Sequence, residues 1–426
     1  MAREKIIVGI DIGSSKIATL IATSSDSGFT VIGVSTAPSR GIRKGQVVDI
    51  DEAVAAIAEG IESAERMAGV SASSCFVSVS GVHISSVNSR GVVAVAGGEN
   101  EISDDDVRRV VEAAQAISTP SSRELIHVIP RDYIVDSQEG IKDPVGMTGV
   151  RLEVETHIIT GANTSLRNLV KCIQQVGIDV EGLVFSGIAS AESTLTDTER
   201  ELGVALIDIG GGTTDVALFV DGSIAHSAVI PIGGKNITND LAIGLRSSLE
   251  SAEKIKLALS AKESKKIDDE EEKDGKEQDK KSEIDVAKLG ITEDLGTLSK
   301  KTLVDGIIKP RLTEIFTLIG MEIKRAGYAG LLPAGLVVTG GAAETVQLPT
   351  VGKEVLRMPV RVAEPKGVSG LIDEISSPAY ANSVGLLLFG EKMAVPTSKI
   401  SLSLPRGSNV ADLIKKIVGW VRGLIP

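Results

Sequence analysis

The sequence predicts an α/β protein made of two related units, because one short motif occurs twice. Residues 206–215 contain an apolar run that ends in an aspartate, then a glycine turn with hydroxyl residues, then another apolar run. Residues 8–17 repeat this order near the N-terminus, with Asp11 in the place of Asp208. Each motif is typical of a β-hairpin with a glycine turn. Two such hairpins, one opening each half of the chain, indicate a duplicated α/β unit.

Each hairpin is suited to hold a phosphate group. Glycines leave backbone N–H groups free to face phosphate oxygens, and the hydroxyls of Thr213 and Thr214 add donors. A carboxylate such as Asp208 beside phosphates requires a cation between them, so Mg²⁺ is expected there, bound directly or through water. An ordinary β-hairpin is the alternative for either motif alone. The pair favours one nucleotide held between two turns.

The composition agrees with an α/β fold and argues against a nucleic-acid-binding or membrane-spanning protein. A chain of 426 residues is long enough for two or more domains, and with 42% hydrophobic but 2% aromatic residues its cores must consist of Val, Ile, Leu and Ala. The net charge of −12 argues against general affinity for nucleic acid. Cys75 and Cys172 lack metal-type spacing and are expected to be buried thiols. We expect an intracellular protein without a signal peptide or transmembrane helix.

The first unit is interrupted by a segment of different character. Three strands are predicted within residues 5–37, followed by an amphipathic helix over residues 51–67 that ends at Gly69. Residues 83–160 instead combine strands with a single helix, whose N-cap is Ser103. They are predicted to form an inserted α+β subdomain.

The second unit is predicted to carry a helical stretch that is opened by residues 231–236, after Ile230, and runs to about Leu259. Glu253 and Lys256 lie three residues apart on one face of it and could bind a ribose, with a weak surface ion pair as the alternative. Residues 262–283 are mostly charged, with both signs mixed. Such a run cannot form a core, so it indicates a solvated helix extension or a disordered insertion.

Three further features follow towards the C-terminus. A long helix is predicted over residues 303–325. A strand then ends at Gly340 and Gly341, where bare backbone could lie against a flat base, although alone this would be only a turn. Residues 377–387 predict a helix of small residues packed closely on another element.

The tail is predicted to be a tethered amphipathic helix. Residues 396–408 are rich in Ser, Pro and Gly and resemble a flexible linker, and Ser408 or Asn409 can cap the helix that follows. Its basic polar face, its tryptophan and its tether to an acidic protein indicate a helix lying in an anionic membrane surface. A helix docked on its own domain is the alternative. The candidate membrane-binding residues are Val410, Leu413, Ile414, Lys415, Lys416, Ile417, Trp420, Val421, Arg422 and Leu424.

Together these features resemble the actin-like ATPase superfamily, which has a ribonuclease-H-like fold. Within it, the inserted subdomain, the run at residues 140–146 and the tethered tail closely resemble the bacterial FtsA family over nearly the whole chain. The resemblance implies an ATP-binding cell-division protein that polymerises and binds the C-terminal tail of FtsZ. Such a protein tethers FtsZ filaments to the cytoplasmic side of the membrane at the division site. There it helps to assemble the Z ring and to recruit later division proteins.

The resemblance also assigns individual residues. It implies that Asp11 and Asp208 are the Mg²⁺ carboxylates and that Glu253 and Lys256 contact the ribose. Gly340 and Gly341 match the adenine turn, and Gly233 and Gly234 match the turn beneath the nucleotide. The two phosphate loops correspond to Gly13, Ser14, Ser15 and Lys16, and to Gly210, Gly211, Gly212, Thr213 and Thr214.

Two positions depart from the family pattern. Ser186 stands where actin-like hydrolases place a Gln or Glu that positions the attacking water, so tight ATP binding with at most slow hydrolysis is expected. The charged insertion at 262–283 is long for the subdomain that, by resemblance, binds the FtsZ tail, so that contact is not assigned to residues.

The predicted division of the chain has six parts. These are a first actin-like core (1–82 with 161–195), the inserted subdomain (83–160), a second core (196–230 with 303–392), its subdomain (231–302), a linker (393–407) and the amphipathic helix (408–426). Related functions on the same fold are the alternatives: a pilus-assembly ATPase of the PilM type, or a soluble kinase or chaperone-type ATPase. The predicted membrane-binding tail argues against these alternatives.

Overall fold

The computed structural model describes residues 5–25, 28–96, 100–116, 120–267, 283–284, 286–293, 295 and 298–394. The amphipathic tail, most of the charged insertion and the predicted linker from residue 395 onwards lie outside these residues. The first two residues of that linker, 393 and 394, instead end a helix. Within the described residues, the fold consists of two mixed α/β halves and an inserted subdomain. No described helix is both long and apolar enough to cross a bilayer.

The first half is built on a six-stranded sheet. β1 (Lys5–Ile12), β2 (Lys16–Ser25) and β3 (Gly28–Pro38) form an antiparallel meander, and β6 (Ser74–Val79) and β11 (Asp179–Phe185) extend it in parallel to β1. Beyond Ile6, β1 is mostly apolar and buried, because it lies inside the sheet and helices pack on it. The strands in spatial order are β11 (Asp179–Phe185), β6 (Ser74–Val79), β1 (Lys5–Ile12), β2 (Lys16–Ser25), β3 (Gly28–Pro38) and β19 (Ser369–Gly370).

The second half repeats this topology. Its meander is again followed by two parallel strands, so the duplication predicted from the two hairpins is confirmed. β12 is buried at every position. The strands in spatial order are β14 (Ser223–Ile230), β13 (Thr214–Val220), β12 (Val204–Ile209), β17 (Leu336–Thr339) and β18 (Val360–Val362).

The inserted subdomain has its own sheet and its own small core. One helix, α2 (Asp104–Gln115), packs on the sheet, and its N-terminus has the predicted cap, because Ser103 and Asp106 form a reciprocal capping box. The strands in spatial order are β7 (Ser85–Ala94), β10 (Arg151–Ala162), β8 (Arg123–Val135) and β9 (Gln138–Ile141).

Helices of the first half follow the predicted pattern. α1 (Ile50–Ala68) starts at the cap Asp49 and ends at Gly69, whose φ of 69° is left-handed. Cys75 and Cys172 are buried free thiols, as predicted. The remaining elements here are the strands β4 (Ile42–Arg43) and β5 (Gln46–Val47), and the helices α3 (Asn163–Gln175), α4 (Ser186–Thr194) and α5 (Asp197–Leu202).

Two helical predictions for the second half need correction. The stretch to Leu259 is two helices, α6 (Gly234–Leu245) and α7 (Leu249–Ile267). The first ends because Arg246 adopts a left-handed φ of 53°. The second begins where Ser248 Oγ accepts a hydrogen bond from the N–H of Ser251. The long helix contains a π-helical turn. Pro310 has no N–H to donate, which removes one α-type hydrogen bond there. Its parts are α8 (Lys300–Leu303), the π turn (Val304–Ile308) and α9 (Lys309–Arg325).

The C-terminal part of the described chain closes the first half. α12 (Ala381–Ala394) packs on α4 and on β1, which confirms the prediction of a closely packed helix of small residues. The other elements are α10 (Leu348–Leu356), α11 (Ile372–Ile375), the 3₁₀ turns at 287–289 and 378–380, and the short strands β15 (Glu283–Ile284) and β16 (Leu298–Ser299).

Candidate functional site

The two glycine hairpins face each other across a cleft of about 670 Å³ between the halves. Each turn is closed by one backbone hydrogen bond, from Gly13 N to the Lys16 carbonyl and from Gly210 N to the Thr213 carbonyl. The turns approach closely, because a Cβ on Gly211 would lie 2.0 Å from Ser15 Oγ. Predicted site residues that line the cleft are Asp11, Gly13, Ser14, Ser15, Lys16, Asp208, Gly210, Gly211, Thr213, Gly234, Glu253, Lys256, Gly340 and Gly341.

Three predicted residues support the cleft from behind. Thr214 is fully buried, and its hydroxyl donates to the Ile232 carbonyl at 2.8 Å. A Cβ on Gly212 would lie 3.0 Å from Ser14 Oγ, and one on Gly233 would lie 2.5 Å from the carbonyl oxygen of Gly210. The bare backbone at these positions therefore lets the second turn pack against the first turn and against α6.

Asp11 and Asp208 extend into the cleft from the ends of β1 and β12. Asp11 Oδ1 accepts hydrogen bonds from Ser78 Oγ at 2.8 Å and from Asn382 Nδ2 at 2.9 Å. Asp208 Oδ2 accepts from Ser190 Oγ at 2.5 Å. Burial raises the pKa of both carboxyl groups, that of Asp208 to about 6, because the charged form loses hydration.

The sequence prediction missed a third carboxylate. Asp215 pairs with Asp208 across the hairpin and lines the same cleft. Ser80 Oγ donates to both of its oxygens, at 2.7 and 2.9 Å, while burial and the nearby Asp208 raise its pKa well above the usual value. The sequence contained a signal for Asp215, because residues placed symmetrically about a hairpin turn lie side by side on one face of the sheet.

Lys16 lies at the other side of the first turn. Its ammonium nitrogen is 3.5 Å from the centroid of the Tyr380 ring, a cation–π contact. Burial lowers the pKa of Lys16, and the charges of Asp11 and Asp208 oppose this shift. The cleft thus places cations beside the glycine turns and carboxylates on its floor.

Helix α6 begins directly against the second turn. The N–H groups of Gly234 and Lys235 donate to the carbonyls of Gly210 and Gly211 at 2.9 and 2.8 Å. Lys235, which the sequence prediction left without a role, also lines the cleft. Burial lowers the pKa of Lys235, and Arg43 contributes to this shift.

The pair predicted to contact a ribose lies at the mouth of the cleft, on α7. Lys256 Nζ is 2.8 Å from Glu253 Oε2 and donates to Thr238 Oγ1 at 2.9 Å. Thr238, which the prediction did not include, also donates to Glu253. Lys256 is only 8% exposed, whereas the side chain of Glu253 is 42% exposed, so the pair is buried on its lysine side and partly solvated on its carboxylate side.

Gly340 and Gly341 lie where β17 ends beside β12. A Cβ on Gly340, whose φ is +89°, would lie 2.2 Å from Asp208 Oδ1, whereas one on Gly341 would meet nothing nearer than 3.7 Å. Gly340 therefore leaves room for Asp208. Ser186, at the start of α4, also lines the cleft, and its hydroxyl donates to the Val79 carbonyl at 3.2 Å.

Comparisons with known proteins agree with this architecture. A family model described as "SHS2 domain inserted in FTSA" matches residues 81–160, and one described as "Cell division protein FtsA" matches residues 205–385. Cell division protein FtsA of Pseudomonas aeruginosa is 39% identical and covers 98% of both chains. That of Bacillus subtilis is 37% identical, over 95% of this chain and 88% of its own.

Two solved structures are similar at low sequence identity and support the fold alone. The PilM–PilN type IV pilus biogenesis complex matches with a TM-score of 0.63 and 15% identity, over 90% of this chain and 98% of that one. MreB5 of Spiroplasma citri bound to AMPPNP matches with a TM-score of 0.52 and 14% identity, over 92% and 97%.

Fold and cleft define an actin-like protein, a class whose architecture implies nucleotide binding. Two duplicated halves meet at paired glycine turns, and a separate subdomain is inserted in the first. The chain belongs to the FtsA family of bacterial cell division proteins. The alternatives of a pilus-assembly ATPase or a soluble kinase are not favoured.

Proposed function

We propose that this chain is an ATP-dependent adaptor of cell division. It polymerises and tethers FtsZ filaments, through the FtsZ C-terminal tail, to the cytoplasmic face of the membrane at the division site, where later division proteins join. The observation that carries this proposal is the pair of glycine turns facing each other across one cleft, in a chain of the FtsA family. A nucleotide bound there contacts both halves, so its binding can control their closure.

The residues of the cleft fit Mg-ATP. Asp208 and Asp215 are buried and Asp11 is half-buried. All three carboxyl groups have raised pKa values, and a divalent cation would offset their mutual repulsion. Among the described residues, no three acidic, histidine or cysteine side chains converge closely enough to hold a metal ion unaided. Phosphate oxygens and water would therefore supply the remaining Mg²⁺ ligands, as is usual for this ion. Asp11 and Asp208 would hold it.

We assign the phosphates, the ribose and the base of the nucleotide to other residues of the cleft. The two glycine turns, with Lys16, would hold the phosphates. Glu253 and Lys256 would bind the ribose, and the base would lie against Gly340 and Gly341. Gly233 and Gly234, at the start of α6, would form the turn beneath the nucleotide. When bound, ATP supplies a charged link between the halves.

We expect hydrolysis to be slow. Ser186 is the residue at the start of α4, and its short hydroxyl already donates to a backbone carbonyl. A serine there is a poor general base and a poor positioner of water, so the purified protein should bind ATP tightly but turn it over slowly. Brisk steady-state release of phosphate would contradict this.

Membrane attachment is assigned to the tail, which lies outside the described residues. A linker at 393–407 would tether an amphipathic helix at 408–426, whose basic face suits anionic lipid. One such helix binds reversibly, but a filament that presents many of them gains avidity. We also propose that the chain is divided into the six parts predicted from its sequence.

Co-sedimentation with anionic vesicles tests the adaptor directly. The full chain, a chain ending at Ser408 and the full-length double variant Leu413→Glu/Ile417→Glu would be compared, each with and without Mg-ATP and FtsZ. We expect only the unaltered full chain to pellet with lipid, more strongly with Mg-ATP, and to carry FtsZ with it. Equal pelleting of all three chains, or none by the full chain, would contradict the proposal.

A further inference from the structure

Lys235 is the residue that connects both glycine turns. Its side chain crosses the cleft from α6, and Nζ donates to the carbonyl of Ser14 in the first turn at 2.6 Å. Its backbone N–H donates to the carbonyl of Gly211 in the second turn at 2.8 Å. The ammonium group therefore lies at the first of the two turns proposed to hold the phosphates, while the backbone of the same residue is bound to the second.

The start of α6 cannot serve as the anion site through its backbone. A helix N-terminus usually binds anions with its free N–H groups. Here Gly233 N donates to Asn236 Oδ1 at 3.0 Å, and the next two N–H groups donate to carbonyls of the second turn. With these donors used, the positive charge that α6 brings to the cleft is the Lys235 side chain.

The charges around the cleft favour this role. Its floor carries Asp11, Asp208 and Asp215, whereas Lys16 lies against the Tyr380 ring on the other side of the first turn. Lys235 is thus a second cation at the turns, supplied by the other half of the molecule. An ammonium group has three N–H donors, and the Ser14 carbonyl accepts one of them.

We propose that Lys235 binds the terminal phosphates of the nucleotide and so selects di- and triphosphates over a monophosphate. This inference rests on the proposed nucleotide binding and adds a determinant of phosphate number to it. An ammonium group binds an anionic phosphate oxygen more strongly than a neutral carbonyl oxygen, because both partners are then charged. Because Lys235 belongs to α6 and reaches the first turn, the same contact holds the two halves together when the terminal phosphates are present.

A purely structural role would give a different result. If Lys235 only supported the Ser14 carbonyl, its loss would loosen the first turn for every adenine nucleotide alike. A contact with the terminal phosphates instead affects ATP and ADP and spares AMP. The comparison among the three nucleotides therefore separates the two roles.

The test is the affinity of the full chain for ATP, ADP and AMP in Mg²⁺, measured by calorimetry or by displacement of a fluorescent ATP analogue. For Lys235→Met we expect ATP and ADP to bind about 10- to 100-fold more weakly, as for loss of one charged hydrogen bond, with AMP affected less than about twofold. Lys235→Arg should recover most of the loss. Lys309→Met, which removes a surface partner of Glu354, is the matched control and should bind as the unaltered chain does.

Two outcomes would overturn the inference while leaving nucleotide binding intact. These are unchanged ATP affinity in Lys235→Met, and equal weakening of ATP and AMP. If the unaltered chain bound none of the three nucleotides, the proposed nucleotide function would be refuted, and this inference with it.

Discussion

Asp208 is buried, lies near the like charge of Asp11 and accepts one hydrogen bond, from Ser190. Its pKa of about 6 lies above the ordinary value of 3.8, so the folded protein binds a proton more tightly here than the unfolded chain does. The stability that this proton contributes is fully present below about pH 4 and is lost as the pH rises through about 6. Without Mg²⁺ and nucleotide, ionised Asp208 therefore destabilises the fold at neutral pH.

We predict that Asp208→Asn stabilises the metal-free, nucleotide-free protein at pH 7 to 8, by up to about 3 kcal/mol from the size of the pKa shift. Asparagine keeps the shape and an acceptor for Ser190 Oγ. The gain should shrink as the pH falls towards 4. Denaturant unfolding of both proteins across this range is the measurement, and parallel curves at every pH would contradict the prediction.

Single residues of the site were predictable where a local motif determines them. Asp11 and Asp208 end apolar strands before glycine turns, a pattern visible in the sequence. Their partners are not, because Ser78, Ser190 and Asn382 come from a strand and two helices that only the folded sheet brings together. Such donors have no spacing rule relative to the carboxylate they contact.

At the scale of elements, α4 and α12 cross in close contact at Gly385. A Cβ on Gly385 would lie 1.7 Å from the carbonyl oxygen of Ala189 and 2.3 Å from its carbonyl carbon. These are backbone atoms of a helix and cannot rotate away. The crossing therefore requires a residue without a side chain.

We predict that Gly385→Ala forces the two helices apart and lowers the free energy of unfolding by about 3 kcal/mol or more. The matched control is Gly306→Ala in the π-helical turn, where nothing lies within 4 Å of the added methyl group. That control should be neutral or stabilise by up to about 1 kcal/mol. Chemical denaturation of both variants is the measurement, and equal stability would exclude the close crossing.

Helix periodicity predicted where helices occur, but not their internal breaks. The end of α6 depends on the left-handed backbone at Arg246, which is neither glycine nor asparagine and gives no turn signal. The π turn depends on Pro310 within an otherwise regular helix, where tertiary packing keeps the helix going past the proline. The first break depends on its surroundings, whereas the second has a local signal in Pro310, which the periodicity of the apolar residues does not reflect.

At the scale of the whole molecule, the inserted subdomain also contacts the second half. His157 on β10 is 1% exposed, with its Nε2 2.9 Å from Ser227 Oγ on β14 and its Nδ1 2.6 Å from Asn88 Oδ1 on β7. Burial lowers the pKa of His157 to about 3, so its ring is neutral at physiological pH. This buried chain of hydrogen bonds joins the insert to the sheet that carries Asp208.

We predict that His157→Leu lowers the free energy of unfolding by about 2 to 4 kcal/mol, since it leaves buried polar partners unsatisfied. Amide hydrogen exchange should increase in β14 and β7 more than elsewhere. Val92→Ala, an exposed position on the same sheet, is the control and should change stability by less than about 0.5 kcal/mol. Unchanged exchange in β14 would show that His157 does not hold the contact.

The duplicated halves and the insert were predictable, since each carries its own hydrophobic pattern. The contact between insert and second half was not, because single polar groups join residues that are 70 to 141 positions apart. A pattern within one element contains no information about which other element it meets. Predicting that contact requires the folded arrangement.

Most of this contact ends on the main chain of the second half. Asn88 Nδ2 donates to the Ala225 carbonyl, Ser86 Oγ to that of Ser227, and Lys142 Nζ to that of Asp221. A main chain offers the same acceptors whatever side chains it carries. Substitutions in the second half therefore keep the acceptors of these three hydrogen bonds. The bond between His157 and the Ser227 hydroxyl, and the bond from Ser223 Oγ to the Arg131 carbonyl, depend instead on its side chains.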